Sequence, residues 1–457
     1  MGRLGKRPLG AIAVALMALV ARQGLAAGPP TAAGRRVAFA PADQRFDTDV
    51  SGRLTASVYS LPSFFFDEAA ADAFLSAVRA ADPGRTLIVL TDSPLLDRLQ
   101  TRAKALRLHL LDTHGKAYSP WPRDPFSLVH TRAGSVRVLV RPNRQPGREE
   151  DVHLGPELAQ NLPEEIDRAW GKVTWAEAPV PFHNGQVLLT GNAAWVTLHA
   201  LEPRILAILK LDRVPVESFS AAAGIDRYLA AADQAAAELG TLYGRPVRFV
   251  HPLPSAGAGN AAARTDLMRR IGGAAGYDLD SIVTFVPSRK KGLAALVADV
   301  PLGRKLLAEL PAADLDALRR GYGLAPAATA EGLAAAQRTP ETEALAAFLD
   351  LAAAHLAAEG LEVRRLPLLT VPIALLQDRA GLSHSSFLIT WNNVVVETRQ
   401  GRARAEGFSS LIPSGDARAR EAFGALGVRL DLLPPLVRSV ILNGGYRCAS
   451  NHLRSGS

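Results

Sequence analysis

The stretch that decides the fold is residues 276–301, which read GYDLDSIVTFVPSRKKGLAALVADVP. Two short apolar runs, 280–287 and 293–300, are separated by a charged turn, and this pattern is typical of two neighbouring β-strands. Asp278 and Asp280 are two residues apart, so on a strand both would point to the same face. Such a pair either binds a cation or caps the start of the strand, and like charges held close together raise the pKa of one of them.

Similar strand-like runs recur along the chain and alternate with helical stretches rich in alanine and leucine. Strands and helices do not separate into blocks, so the sequence predicts the α/β or mixed α+β class, and it shows no repeat of fixed period. The other predicted strands are 86–92, 136–142, 185–197, 247–253, 386–398 and 439–445. The predicted helices are 67–81, 221–244, 302–321 and 340–360.

The first 27 residues have the layout of a secretory signal peptide, with a basic start, an apolar run and small residues at the end. The apolar run is too short to span a bilayer, although an uncleaved anchor is the alternative. Removing residues 1–27 lowers the formal net charge from +8 to +4, and no basic run with interleaved aromatic residues argues for nucleic acid binding. We therefore expect an exported protein, periplasmic or extracellular, with no membrane span after cleavage.

Behind the signal peptide, residues 28–60 are predicted to be a flexible or irregular lead. Residues 61–457 are expected to form a single domain with a helical excursion at about 302–360. With 48% hydrophobic residues the chain can bury a large core, and it must do so because one cysteine cannot form an internal disulfide.

Two further segments place polar residues beside a predicted strand. In YSPWPRDPFSLV, residues 118–129, prolines on either side of Trp121 and Asp124 hold both side chains in a rigid turn. The structural alternative is that Asp124 only caps the turn or pairs with Arg123. In PVPFHNGQVLLTGN, His183 precedes a strand, and we expect it to have a pocket role unless it is merely solvated or bound to the backbone.

The only cysteine, Cys448, lies near the end of the chain in LNGGYRCASNHLR. Gly444 and Gly445 allow the backbone to come close to another group, and Arg447 would favour the thiolate form of its neighbour. A lone thiol in an exported protein is either useful or a buried structural residue. The polar residues that follow it are Ser450, Asn451 and His452.

Taken in order, these segments resemble the guanidine-modifying enzymes of the pentein fold, in particular the protein-arginine and agmatine deiminases. In that family a Trp-x-x-Asp segment supplies the first substrate carboxylate, and WPRD places it at Asp124. A middle strand-loop-strand segment supplies a histidine and a second carboxylate, here Asp280. A Gly-rich turn precedes the nucleophilic cysteine, here Cys448, and SFLITWNNVVVE (386–397) is similar to the penultimate strand pair.

The resemblance implies a five-bladed α/β propeller around a polar channel. It also implies hydrolysis of a guanidine group, in an arginine-containing peptide or a small molecule, to a ureido product and ammonia through a thiouronium intermediate on Cys448. Trp121, His183, Arg447 and Asn451 complete the expected substrate pocket. No cofactor is required, calcium enters through the resemblance only, and no metal ligands are assigned.

The family's catalytic histidine falls on Asp278 in this chain, and our hypothesis is that Asp278 carries the proton instead. The alternative is that His183 or His452 turns into the pocket. A shifted alignment on RTDLMRR would place the second carboxylate at Asp266, but the strands that follow fit it less well. Two functions therefore stay open: a guanidine hydrolase, or a degenerate pentein that binds guanidinium or arginyl peptides without turnover.

Overall fold

The fold is known from a computed structural model, and no helix of its described part is long and apolar enough to cross a membrane. The predicted signal peptide and the first residues of the lead lie outside the described residues. The structure describes residues 35–116, 118–142, 148–212, 222–254, 261–379, 382 and 384–455.

The described residues form five separate β-sheets, which helices connect. The strands are β1 (Gln44–Arg45), β2 (Arg53–Ser60), β3 (Thr86–Thr91), β4 (Leu108–Asp112), β5 (Phe126–Thr131), β6 (Val136–Val140), β7 (Thr174–Glu177), β8 (Val187–Leu189), β9 (Ala194–Val196), β10 (Val247–Phe249), β11 (Val283–Ser288), β12 (Gly292–Asp299), β13 (Glu362–Pro372), β14 (Ser386–Thr390), β15 (Val395–Arg399), β16 (Arg402–Phe408), β17 (Val428–Leu433) and β18 (Ser450–Ser455). The helices are α1 (Glu68–Ala81), α2 (Ser93–Leu106), α3 (Leu154–Asn161), α4 (Glu164–Ala169), α5 (Leu198–Leu209), α6 (Ala222–Tyr243), α7 (Ala261–Ile271), α8 (Leu279–Ile282), α9 (Val300–Ala308), α10 (Ala312–Tyr322), α11 (Ala330–Ala336), α12 (Pro340–Ala358), α13 (Pro413–Ala425) and α14 (Val437–Ile441).

One three-strand pattern occurs in all five of the described sheets: the first strand is antiparallel to the second, and the second is parallel to the third. The sequence shows no repeat of fixed period, so what repeats is the order and direction of the strands. The mixed α/β class predicted from the sequence is confirmed. The five units are β5-β6-β7, β8-β9-β10, β11-β12-β13, β15-β16-β17 and β18-β2-β3.

The fifth unit joins the two ends of the described chain, because C-terminal β18 pairs with β2 and places Asn451 opposite Val58. Part of the lead predicted to be irregular is therefore ordered, since β2 lies within residues 28–60 and is buried along most of its length. The helices α9 to α12 fill the chain between β12 and β13, where the sequence predicted a helical excursion.

The strand predicted at 439–445 is wrong, because these residues begin in helix α14 and continue into a turn. The hydroxyl of Ser439 donates to the Gly444 carbonyl (3.0 Å) and accepts from the Trp121 indole (3.1 Å), which fixes a turn rather than a strand ladder. The single strand predicted at 386–398 is instead two strands, β14 and β15, which belong to different sheets.

A buried ion pair connects the fourth and fifth sheets below the cysteine turn. Both terminal nitrogens of Arg85 donate to the Glu406 carboxylate at 2.7 Å, and the Tyr446 hydroxyl donates to the same carboxylate at 2.8 Å. Tyr446 packs edge-on against Phe74 and Phe408 in the core. Because Tyr446 lies two residues before Cys448, this packing anchors the turn that carries the thiol.

Candidate active site

Five turns, each just before the first strand of one three-strand unit, carry the polar residues of the site. Asp124 precedes β5, His183 precedes β8, and Asp280 precedes β11. Asn393 lies before β15 and Cys448 before β18. Equivalent positions of the repeated unit therefore supply the whole group, and the contacts below join them into one site.

Asp124 lies in the proline-bounded turn, as predicted, and only 3% of the residue is exposed. Arg148 donates to its Oδ2 at 2.8 Å and stacks over the Trp121 ring, with 4.7 Å from Cζ to the ring centroid. Burial alone would raise the pKa of Asp124, but His183 and Arg148 hold it below its ordinary value. The Oδ1 atom is buried, and among the described residues it has no hydrogen-bond partner.

Two asparagines hold this turn in place. The Asn184 amide donates to the carbonyls of Arg123 (2.7 Å) and Phe126 (3.2 Å), and the Asn451 amide donates to the same Phe126 carbonyl at 2.7 Å. The expected substrate contact from Asn451 is thus corrected, because its amide is committed to the backbone beside Asp124. The sequence shows only that a polar residue lies near the start of β18. It does not identify the partner of Asn451, because Phe126 is far away in the sequence.

His183 lies between two carboxylates. Its Nε2 is 3.6 Å from Oδ2 of Asp124, and its Nδ1 is 3.8 Å from Oδ1 of Asp278. In the part of the chain that the structure describes, Nδ1 has no hydrogen-bond partner. Gln186 donates to the same Asp278 oxygen at 2.7 Å. Burial raises the pKa of Asp278, His183 opposes the rise, and Asp124 adds to it. The sequence has Asp278 where the resembling family has its catalytic histidine, and the structure places His183 next to Asp278.

Two alternatives from the sequence are excluded. The ring nitrogens of His452 lie 2.8 Å from the Ser57 hydroxyl and 2.7 Å from the Ser450 hydroxyl, so this histidine is engaged in the sheet rather than turned into the pocket. Asp266 lies on helix α7, 54% exposed, and pairs with Arg269 at 2.6 Å. The shifted alignment is therefore wrong, because Asp280 reaches the site and Asp266 does not.

Asp280 is fully buried but does not lie on a strand, which corrects the geometry expected from its spacing. It belongs to the single helical turn α8, and Asp278 is the extended residue that precedes this turn. Asp280 accepts hydrogen bonds from Arg447 (2.7 Å) and Asn393 (2.9 Å). Burial raises the pKa of Asp280 to about 6, with Arg447 opposing and Asp278 adding to the rise.

Arg447 is an internal cation rather than a substrate contact, which corrects a second expectation. Its buried guanidinium pairs with Asp280 (2.7 Å) and Asp49 (3.0 Å) and donates to the Asn184 carbonyl at 3.1 Å. Asp49 also binds Arg123 at 2.7 Å, so Arg123 is not the partner of the neighbouring Asp124. The guanidinium of Arg447 is directed at carboxylates, so it does not stabilise the thiolate beside it as the sequence suggested.

Replacing Arg447 with methionine is expected to lower the free energy of unfolding by about 3 kcal/mol, because Asp280 loses its cation while it stays buried. Denaturant unfolding measures this change. The control is Arg429→Met, which removes the 77% exposed partner of Asp431 and should cost at most about 1 kcal/mol. Equal losses in the two variants would contradict the assigned role of Arg447.

Cys448 is buried, and its Sγ lies 3.8 Å from both Asp280 oxygens and 3.1 Å from the Asn393 amide nitrogen. Burial raises the pKa of the thiol well above its ordinary value, and the carboxylates of Asp280 and Asp278 raise it further. The hydrogen bond from Asn393 acts in the opposite direction. On balance these surroundings favour the protonated thiol over the thiolate in the unliganded protein.

The two glycines before the cysteine allow close approach, as the sequence predicted. A Cβ atom on Gly444 would lie 1.8 Å from the indole nitrogen of Trp121, and one on Gly445 would lie 2.4 Å from Cγ of Asn393. Any side chain at these positions would push away a group that belongs to the site. The turn is therefore shaped to bring Cys448 against its neighbours.

The carboxylates and the thiol also form a group of possible metal ligands. Asp278, Asp280 and Cys448 each offer one ligand atom, all within 4.8 Å of one another. Both oxygens of Asp280 already accept hydrogen bonds from protein groups, so we assign no metal here. The group does not favour calcium, which takes oxygen ligands and about six to eight of them.

No family model and no curated protein matches the sequence of this chain. Solved structures do match. The agmatine deiminase of Enterococcus faecalis is 12% identical, with 93% of this chain and 100% of that chain covered and a TM-score of 0.52. A protein described as a peptidyl-arginine deiminase is 12% identical, with 90% of this chain and 99% of that chain covered and a TM-score of 0.50. One described as an agmatine deiminase is 9% identical, with 92% of this chain and 98% of that chain covered and a TM-score of 0.50. At these identities the likeness shows the fold alone: the chain shares the fold of these three structures, and the resemblance of its sequence segments to deiminases predicted such a fold.

Proposed function

We propose that the protein is a guanidine-group hydrolase that converts an arginine residue of a peptide, or a small guanidine, to the ureido product and ammonia. The observation that carries this proposal is the meeting of the Cys448 thiol, His183 and three carboxylates at one buried site of a deiminase fold. We further propose that residues 61–457 act as one domain whose five sheets surround this site as a five-bladed propeller. The three-strand unit found in each sheet, with a site residue at the same position, supports that arrangement.

The charge of the site suits a planar cation. The raised pKa values of Asp278 and Asp280, caused first by burial, mean that neighbouring positive groups do not fully compensate their negative charge. A guanidinium group presents N–H donors in a fork that matches carboxylate oxygens. The unpartnered Oδ1 of Asp124 and the carboxylate of Asp278, 28% exposed, are the acceptors that such a group would find.

A bound guanidinium also activates the thiol, because its positive charge offsets the carboxylates that raise the thiol pKa. The thiol proton passes to His183, and the thiolate attacks the central carbon to form a C–S bond. The protonated histidine gives its proton to one nitrogen, which leaves as ammonia. Water then adds to the thiouronium carbon and gives one proton to His183. Cleavage of the C–S bond, with loss of the remaining hydroxyl proton to solvent, releases the ureido product and the thiolate, which takes the proton back from His183.

The test is to incubate the full chain with arginine, agmatine and an arginine-containing peptide, and to measure ureido product and ammonia in parallel. Equal amounts of both products from at least one substrate are expected. Because Cys448 is the only cysteine, mass spectrometry of acid-quenched samples should find any covalent adduct at this residue alone. If none of the three substrates gave product or a covalent adduct, the proposal that the protein is a hydrolase would be overturned.

A guanidinium-binding protein without turnover is the second candidate. It is favoured by one observation: Asp124 and Asp280 already pair with Arg148 and Arg447 of the same chain. A substrate would have to share or displace these partners. Saturable binding of an arginyl peptide, combined with silence in both product assays, would support this candidate over the enzyme.

Guanidinium binding is expected to weaken as the pH falls through about 6. The pKa of Asp280, raised by burial to about 6, and the raised pKa of Asp278 mean that both carboxylates take up protons at higher pH than ordinary carboxyls. A protonated carboxyl no longer attracts a cation, so the association constant should fall by up to about tenfold per pH unit for each proton taken up. Calorimetric titration of agmatine into the Cys448→Ala variant from pH 8 to pH 5 measures this. An association constant that is constant down to pH 5 would contradict it.

We also propose that the mature protein works outside the cytoplasm, in the periplasm or the medium. The signal-like first 27 residues support this proposal, and an exported hydrolase would meet arginyl peptides. The mass of the protein isolated from its native host should show loss of these residues. Retention of the full N-terminus would contradict cleavage.

A further inference from the structure

The segment between β1 and β2, residues 46–52, connects four of the five sheets. Strand β1, which precedes it, pairs with β5 of the first sheet. Backbone atoms of the segment form hydrogen bonds with Leu189 of the second sheet (2.6 Å), Thr398 of the fourth (3.1 Å) and Arg454 of the fifth (3.0 Å). The segment therefore lies where these sheets meet, and its side chains can contact residues of several three-strand units.

Asp49 is the residue of this segment that reaches the candidate site. Its Oδ1 accepts a hydrogen bond from Arg123 at 2.7 Å, and its Oδ2 accepts the Leu189 N–H at 2.7 Å. The same Oδ2 lies 3.0 Å from Nη2 of Arg447, and the side chain of Asp49 is 15% exposed. One carboxylate thus holds a cation from the turn of Asp124 and a cation from the turn of Cys448.

Arg447 is shared between Asp49 and Asp280. Its Nη1 donates to Asp280 at 2.7 Å, and its Nη2 pairs with Asp49. Because a guanidinium is planar and rigid, fixing one of these nitrogens fixes the direction of the other. Asp49 therefore helps to orient Asp280, whose oxygens lie 3.8 Å from Sγ of Cys448.

Asp49 also balances charge beside the thiol. Two cations, Arg123 and Arg447, and two carboxylates, Asp49 and Asp280, form a connected group without net charge when both carboxylates are ionised. Burial alone would raise the pKa of Asp49, but the arginines around it hold this pKa well below its ordinary value, so Asp49 is ionised. If Asp49 were neutral, the group would carry surplus positive charge.

We propose that Asp49 is a positioning residue of the site, which fixes Arg447 against Asp280 from the other end of the chain. By engaging Arg123 as well, it keeps two cations from acting on the thiol of the unliganded protein. The inference deepens the proposed hydrolase function, on which it rests. A site without surplus positive charge admits a guanidinium group, and the thiol is then activated when that cation arrives rather than before.

The charged and titratable groups around both partners of this inference share one member. Those that act on Asp49 are Arg123, Tyr243, Arg245, Arg447 and Arg454. Those that act on the thiol are Arg123, Asp124, Asp278 and Asp280. Because Arg123 belongs to both groups, its charge favours the thiolate more strongly once Asp49 no longer offsets it.

The test is alkylation by iodoacetamide, which reports on Cys448 alone because the chain has no other cysteine. Asp49→Asn keeps the size of the side chain and removes its charge. The alkylation rate at pH 8 is expected to rise about tenfold, because the midpoint of the rate against pH falls by about one pH unit. A rate in Asp49→Asn that is equal to or below that of the unmodified chain would overturn the proposal.

The matched control is Asp167→Asn on helix α4. The Asp167 carboxylate is 14% exposed, pairs with Arg35 at 2.7 Å and accepts the Val173 N–H at 2.8 Å, so it resembles Asp49 in exposure and in its kinds of partner. Its loss should leave the alkylation rate unchanged. Thermal unfolding of both variants checks that they are folded, since an opened chain would also expose the thiol. An equal rise in rate in the control would overturn the proposal.

A double variant separates charge from structural damage. Adding Arg123→Met to Asp49→Asn removes one charge of each sign, so the rate should return to within about twofold of that of the unmodified chain. Structural damage would not be reversed by a second substitution, and a double variant that alkylates about tenfold faster would overturn the proposal. If Asp49→Asn does not fold, the double variant decides by the same criterion. Alkylation requires no substrate, so these outcomes stand apart from failure of the hydrolase itself.

Discussion

Replacing Cys448 with alanine is expected to abolish formation of the ureido product, with a loss in kcat on the order of 10⁴-fold or more. The reason is chemical: without the sulfur no C–S bond forms, and the two-step route through a thiouronium adduct is closed. No other cysteine can replace it. Product formation by the purified variant, measured with the substrate that the unmodified chain turns over fastest, gives the result directly.

The variant must be shown to be folded, because Cys448 is buried against Asn393 and Asp280. Cys448→Ser replaces one atom and keeps the size of the side chain, so it should unfold at nearly the same temperature while it also loses activity. Binding of agmatine should persist in both variants, since Asp124 and Asp278 are unchanged. Turnover by the alanine variant above about 1% of the original rate would rule out the thiol as nucleophile.

The parts of the site that the sequence predicted are those with local signals. Prolines around Asp124 and glycines before Cys448 constrain a few residues each, so their turns can be anticipated without any knowledge of the fold. The α/β class likewise follows from periodicity within short windows. Strand β2 (Arg53–Ser60) was missed although residues 53–58 alternate between polar and apolar side chains. It lies between β3 and β18, and β18 comes from the other end of the chain.

The parts that the sequence could not predict depend on partners far away in the chain. Arg447 was expected to stabilise the thiolate of Cys448. Its guanidinium instead pairs with Asp280, 167 residues earlier, and with Asp49. That Asn393 contacts Cys448 could be recognised only from the structure, because the two residues belong to different three-strand units. The one available signal was the pair of polar asparagines that interrupts the apolar run SFLITWNNVVVE, because buried amides need partners.

The proposed reaction needs a proton carrier, and His183 and Asp278 are the two candidates for that role. Geometry favours His183, because it lies within 4 Å of both Asp124 and Asp278 and no described residue forms a hydrogen bond with its Nδ1. Asp278 has a raised pKa in the free protein, but a bound cation lowers it again, which removes the proton when the leaving amine needs it. On this reasoning Asp278 orients the histidine and attracts the substrate.

His183→Gln is therefore expected to lower kcat by about 10²–10⁴-fold while it changes the affinity for agmatine little. Glutamine keeps a polar group between the two carboxylates but cannot exchange a proton near neutral pH. The matched variant Asp278→Asn should weaken agmatine binding more and lower kcat less, because it removes a charge and retains the histidine. Steady-state kinetics and calorimetry on both variants separate the two effects. The opposite result would be that Asp278→Asn lowers kcat with binding intact, while His183→Gln leaves kcat unchanged. In that case Asp278 is the proton carrier, as the alignment alone suggested, and the assignment of this role to His183 is wrong.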